Sequence, residues 1–309
     1  MRPDLVLTSF FAFGAMVAAE SRTVPFDVLL PNTYPMPAKG MPQVGTGFAP
    51  ATGPLGALRD CISRFGGTKL VDRYVLAPLN ELRAEYGLSP LATTWDQVHH
   101  AKSQLILTSP AFGFPAELPA NAHYVGPILD DPAWTTDAQW APPTGETPLV
   151  VVAMSSTFQN HLQCMQRIVG ALGGLPVRGL VTTGPAIAPE EIHPPGNVTV
   201  LRAVPHYLAM EQANLVITHG GHGTVVKALA AGVPMVILHH GRDQAGNAIR
   251  VTSRGAGLKI SRRASSRRIA KTVTQVLGND SYRRAAGELG RAVARDAADQ
   301  STLLGCVEW

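Results

Sequence analysis

From residue 149 onward the chain alternates between short aliphatic runs and helical stretches. The runs read LVVVAM, VRGLVTT, VTVL, LVIT, PMVIL and GLKI. They are rich in β-branched and aliphatic residues and carry no regular polar alternation, so each must be covered on both faces. Among common architectures, a parallel sheet with helices on either side meets that demand. Between the runs, helical periodicity is expected through 159–172, briefly after Pro205, from Gly223, from Asp243, and in two closing helices. Residues 148–295 therefore form a doubly wound α/β domain, followed by a tail at 296–309.

A chain of 309 residues can build two cores. Upstream, apolar runs at 5–8, 27–30, 104–108 and 123–125 alternate with helical segments near 55–64 and 70–86, around a Gly/Pro-rich insert, PNTYPMPAKGMPQVGTG. This predicts a second α/β domain over residues 1–126. Between the two, PILDDPAWTTDAQWAPPTGETP holds five prolines and little periodicity. It reads as an extended linker, 127–147.

The opening MRPDLVLTSFFAFGAMVAAES has the basic start, apolar stretch and small residues of an export signal, but Asp4 interrupts it. A buried strand, a turn and a packed helix account for the same residues. No apolar run reaches the ~18 residues of a membrane span. Three scattered cysteines suit neither a disulfide framework nor a zinc site, so a reducing, cytoplasmic setting is expected. The net charge of +4 is uneven: residues 250–295 hold twelve Lys or Arg against Asp280 and Glu288. Such an excess favours an anionic surface, and membrane-surface association through this stretch is one expectation, beside the plainer one of solvated helix faces. Nucleic acid is not expected, because aromatics are not interleaved with the cations.

The chemistry concentrates in VITHGGHGTVVKALAAGVP, residues 216–234. LVIT is a strand, HGGHG the turn after its carboxyl end, and TVVKALAAG a helix with Val225, Ala228, Leu229 and Gly232 on one face. Glycines let the backbone approach a ligand, and the helix start presents unpaired amides and the positive end of the dipole. An anion suits that position, with Thr224 and His219 as further donors. After PMVIL comes a second turn, HHGRDQAGNAIR. Ligands of open parallel sheets lie along the carboxyl ends of the strands, which brings Asp243 and Gln244 toward whatever His219 holds. An acid and an amide beside a phosphate suit a polyhydroxyl group.

A metal site built from His219, His222, His239 and His240 would leave the glycines without a purpose, and no metal is expected. A lipase oxyanion loop needs a G-x-S-x-G elbow, and nucleotide loops of the G-x-x-x-x-G-K-[ST] or G-x-G-x-x-G kind are also lacking. Glycines serving only close helix packing would not account for the matching Asp-Gln turn. His99, His100 and His123 fit surface or satisfied core positions better than a catalytic role.

V-I-T-H-G-G-H-G-T, then A-L-A-A-G-V-P, then G-R-D-Q-A-G-N-A, resembles the donor-site signature of UDP-glycosyltransferase-type (family 1) enzymes of the two-domain GT-B fold. Upstream, R-A-V-P-H resembles the base-binding loop, VVVAMSST the first strand and phosphate-contacting turn of the C-terminal domain, and YVGP the end of the N-terminal domain. The resemblance implies that His219, Gly221, Gly223 and Thr224 hold a diphosphate, with Ser156 reaching it from the facing turn. It implies that Val204 and His206 border base and ribose, and that Asp243 and Gln244 bind donor-sugar hydroxyls. Ser155 departs from a common glycine.

Residues 3–7, PDLVL, resemble a strand from the middle of that family's N-terminal domain, so an incomplete N-terminal α/β domain is expected, without the histidine that usually deprotonates the acceptor. Thr8 and Ser9 stand near where an orienting aspartate is often found. The expected activity is inverting transfer of a hexose from a UDP- or TDP-sugar co-substrate to a small, lipophilic acceptor, without other cofactor. The alternative is a catalytically silent nucleotide-sugar-binding protein.

Overall fold

A computed structural model describes residues 3–131, 133–136, 141–157 and 159–307. Residues 132 and 137–140 of the expected linker and the last two of the tail lie outside the described residues. The chain divides into two compact units, residues 1–127 with 296–309, and residues 128–295.

In the first unit, β1 (Val6–Ser9) leads into α1 (Phe13–Ser21) and β2 (Phe26–Leu30); α2 (Pro54–Glu85), α3 (Asp96–His99), β3 (Ser103–Ile106) and β4 (Ala122–Tyr124) follow. The strands form a parallel sheet in the order β1-β2-β3-β4. The opening residues are thus the strand, turn and helix that the sequence suggests. The two helical segments expected at 55–64 and 70–86 are one continuous helix, α2, which runs through Gly66, Gly67 and Pro78. One end of this unit is tied by Arg83 of α2, whose guanidinium donates to the Glu20 carboxylate of α1 and to Gln97 of α3.

In the second unit, α4 (Ala133–Thr136) precedes β5 (Leu149–Ala153), α5 (Leu162–Gly173), β6 (Arg178–Thr182), β7 (Val198–Leu201), α6 (His206–Glu211), β8 (Leu215–Thr218), α7 (His222–Ala230), β9 (Met235–Ile237), α8 (Gln244–Ser253), β10 (Gly257–Lys259), α9 (Ser266–Leu277) and, as far as Arg295, α10 (Asp280–Ala298). The six strands are parallel, in the order β10-β9-β8-β5-β6-β7. Every residue of β5, β8 and β9 is buried, as strands covered on both faces must be. Val150, Val152, Leu215, Ile217 and Val236 share one core with Ile168 and Leu172 of α5 and Ile269 and Val273 of α9.

Two segments are tied more closely than the sequence suggests. Asp131, early in the expected linker, pairs with Lys227 of α7 and accepts from the Tyr207 amide of α6, while Arg178 donates to the carbonyls of Pro143 and Thr147. Residues 296–309 group with the first unit: the Ser109 hydroxyl donates to Asp296 at 2.5 Å, and α11 (Ser301–Val307) accepts from Lys102 at the Cys306 carbonyl.

Candidate functional site

The strand order of the second unit locates the site. The chain winds outward from β5 through β6 to β7 and then returns to β8 on the other side of β5, so the winding reverses between β5 and β8. At such a reversal the loops leaving the two central strands diverge to opposite faces and open a crevice at the carboxyl edge. Ala153 and Thr218 are register partners at that edge. The crevice therefore lies between the loop into α5 and the turn into α7.

The turn into α7 is built from glycine for two distinct reasons. Gly220 has φ +90°, a left-handed conformation, and a side chain there would come within 2.9 Å of Ile237. Gly221 has an ordinary φ, but a Cβ would lie 2.6 Å from Nε2 of His219. Gly221 thus keeps the space that the His219 ring occupies. As N-cap of α7 it offers no side-chain acceptor, so no capping side chain competes with a ligand for the start of the helix. Gly223 is exposed with open space around it, and Thr224 beside it is half-buried.

His219 is 8% exposed. Burial lowers its pKa to about 4, helped by the neighbouring His240 and His161 rings and opposed by the Ala153 carbonyl. Its Nδ1 has no partner among the described residues. Across the crevice, Ser155 and Ser156 differ. Ser155 is buried, and its hydroxyl accepts from the Thr157 amide and from Gln159. Ser156 and Thr157 are exposed; the Thr157 hydroxyl lies 3.1 Å from that of Ser155, and Ser156 is the serine of that loop open to a ligand.

The turn into α8 carries Asp243 and Gln244, and the structure separates them. Asp243 is half-buried; burial raises its pKa, and its carboxylate accepts from Asn247 at 2.8 Å. The same Asn247 amide donates to the Gly220 carbonyl, which locks the two turns together. Gln244 is 1% exposed. Its Oε1 accepts from the amides of His240 and Gly241, and its Nε2 donates to Gln159. An amide used in this way holds its own turn, and its second Nε2 hydrogen is the one that would serve the sugar contact expected of Gln244. Arg242, between the two histidines and Asp243, adopts φ +56°, a strained conformation of the kind often found at functional sites.

Val204 and His206 sit at the far end of the same edge. Val204 is 1% exposed, so the backbone of that loop, rather than the valine side chain, is what a base can meet. The His206 ring lies 2.9 Å from the Thr182 hydroxyl, and burial lowers its pKa to about 4. Sequence inspection passes over Gln159 and Asn247, which join the loops, and His161, whose ring stands edge-on to His240 at 6.3 Å. No group of three or more His, Cys, Asp or Glu among the described residues is arranged to hold a metal ion.

Residues 167–306 match the family "Erythromycin biosynthesis protein CIII-like, C-terminal domain". The chain is 29% identical over 306 residues to 4'-demethylrebeccamycin synthase of Lentzea aerocolonigenes, covering 95% of this chain and 71% of that protein. It is 30% identical over 221 residues to the PGL/p-HBAD biosynthesis rhamnosyltransferase of Mycobacterium bovis (strain BCG / Pasteur 1173P2), covering 71% of this chain and 48% of that protein. The chain therefore spans about half the length of that mycobacterial relative. The solved glycotransferase of kitacinnamycin superposes with a TM-score of 0.77 at 20% identity, over 99% of this chain and 74% of that one. Spinosyn rhamnosyltransferase SpnG, solved in complex with thymidine diphosphate, superposes with a TM-score of 0.67 at 20% identity, over 98% of this chain and 73% of that one. The chain is thus similar to family 1 glycosyltransferases, matches an EryCIII-like C-terminal domain over residues 167–306 and has the GT-B fold of its solved neighbours.

Proposed function

We propose that this protein binds a UDP- or TDP-sugar along the carboxyl edge of its six-stranded sheet and serves the transfer of the sugar, with inversion, to a small lipophilic acceptor. The observation that carries this is the uncapped, glycine-started helix α7 facing an accessible serine across the winding reversal. The diphosphate takes the α7 amides, Gly221, Gly223, Thr224, His219 and Ser156. Base and ribose lie by the 204–206 loop, and the sugar hydroxyls meet Asp243. As the sugar departs, charge builds on the diphosphate, and fixed donors in a partly desolvated crevice stabilise it without reorganising.

Titration calorimetry with UDP, TDP and UDP-glucose tests the assignment. Thr224→Ala is expected to weaken UDP about 10-fold, the ~1.5 kcal/mol of a charge-assisted hydrogen bond. Asp243→Ala is expected to weaken UDP-glucose and spare UDP. Unchanged UDP affinity in the first variant removes the phosphate role of Thr224, and equal losses in the second remove the sugar role of Asp243.

The cations of 250–295 have a separate reading. Arg267, Arg268 and Lys271 of α9 and Arg283, Arg284 and Arg291 of α10 are exposed, and we assign them to contact with an anionic membrane surface. Co-sedimentation with phosphatidylglycerol vesicles that fades as salt rises supports this; equal recovery with neutral phosphatidylcholine vesicles removes it.

A further inference from the structure

His161 is the imidazole of this crevice with both ring nitrogens unmet among the described residues. It is 1% exposed and forms the N-cap of α5, and neither ring nitrogen has a hydrogen-bond partner among the described residues. A neutral imidazole must carry one N–H and one acceptor nitrogen, so both are left unmet in a site closed to bulk water. Its position is not that of a stray core residue. It closes the loop leaving β5, while His219 closes β8 and His240 follows β9, and these are three adjacent strands of one sheet. The rings of His161 and His240 are in edge contact, His219 senses both, and the Gln159–Gln244 hydrogen bond ties the flanking loops together.

We propose that His161 belongs to the donor site as a proton-carrying contact: when a diphosphate seats between the starts of α5 and α7, the His161–His219 pair takes up a proton from solvent and the charged ring holds the anion. This rests on the donor-site reading above and adds a linkage to it. The balance is one proton gained by an imidazole, with no bond made or broken in the ligand.

The surrounding charges explain why the proton is absent beforehand. Arg242 and Asp243 stand before α8, His239 and His240 follow β9, Lys259 ends β10 and Arg262 follows it. Cations thus outnumber the single carboxylate. Burial holds His161, His239 and His240 below the ordinary imidazole value, and Arg262 or Lys259 adds to this for the last two. The imidazoles are therefore neutral near pH 7 beside a net positive charge, and a diphosphate reverses the sign of the local field.

The test is calorimetry with UDP-glucose, whose diphosphate diester has no titration of its own near neutrality. Titrations are run in PIPES and in Tris at one pH and ionic strength, and then from pH 8 to pH 6. The wild type is expected to show buffer-dependent heats reporting about one proton taken up, and an affinity that rises as pH falls, by at most about tenfold per unit. His161→Phe keeps the ring shape without the proton and is expected to lose the buffer dependence and flatten the pH profile. His239→Gln is expected to retain both.

Binding without buffer dependence overturns the linkage and leaves the donor site standing. Undiminished proton uptake in His161→Phe overturns the role of His161. The absence of any heat with UDP-glucose and TDP-glucose, for folded protein, overturns the donor site and this inference together. If His161→Phe does not fold, the imidazole proton resonances of the wild type decide: the His161 titration must move to higher pH on adding UDP-glucose, and an unmoved titration overturns the proposal.

Discussion

The residues of the crevice fall into those that meet a ligand and those that hold the first kind in place, and substitutions separate them. Gly221→Ala puts a methyl group where the His219 ring lies, 2.6 Å from its Nε2. The ring must swing away, so UDP affinity is expected to fall several-fold in calorimetry while the melting temperature moves little. Gln244→Ala does the reverse. It leaves the His240 and Gly241 amides without their acceptor, at a cost of about 1 to 3 kcal/mol. Its melting temperature is expected to drop, and UDP and UDP-glucose are expected to weaken alike, unlike the selective loss expected for Asp243→Ala. A selective loss of UDP-glucose in Gln244→Ala would show that the sugar contact of Gln244 outweighs its hold on the turn.

This division is only half legible in the chain. The glycines of 220–223 advertise a close backbone approach, and Thr224 and His219 follow from them. Gln244 carries no such cue, because an amide's direction is set by Gln159, 85 positions away in sequence. His161 is invisible for the same reason: its neighbours arrive from β8 and β9, which precede it in the sheet and follow it in the chain.

Among the elements, strands are the most legible and helix limits the least. Runs such as LVVVA have one arrangement that buries both faces, and β5 takes it. Helix α2 shows the opposite case. Two glycines cost about 1 kcal/mol each in a helix, less than breaking a hydrogen-bond ladder 32 residues long, so the pattern that suggests two helices yields one. What anchors the end of α2 is an ion pair. Burial alone would raise the Glu20 pKa, yet the hydrogen bonds from Arg83 and Gln97 and the Arg83 charge bring it from 4.5 down to about 2. The folded state binds that proton less tightly than the unfolded chain. The pairing therefore stabilises fully above pH 4.5 and is lost as pH falls toward 2. Arg83→Met is expected to cost about 2 to 3 kcal/mol at pH 7, below the full value for a buried pair because Glu20 keeps 23% exposure. In urea titrations this deficit is expected to shrink between pH 5 and pH 3. A deficit constant across that range would mean that the methionine disturbs packing alone.

Across the whole molecule, each unit carries its own parallel sheet and its own buried core, and every residue assigned to the nucleotide sugar belongs to residues 128–295. A ligand stabilises what it binds by RT ln(1 + [L]/Kd), about 2.7 kcal/mol at 100 times Kd. That increment should enter through the second unit. Arg83→Met marks the first unit. Gly290→Ala marks the second, since a methyl group on α10 at 290 would overlap the Leu229 carbonyl at the end of α7 and force the helices apart. In scanning calorimetry, UDP at saturating concentration is expected to raise the transition that Gly290→Ala lowers and to leave in place the one that Arg83→Met lowers. If UDP instead raises the transition marked by Arg83→Met, the nucleotide is held by the first unit, and the assignments to the turns after β5, β8 and β9 fail together.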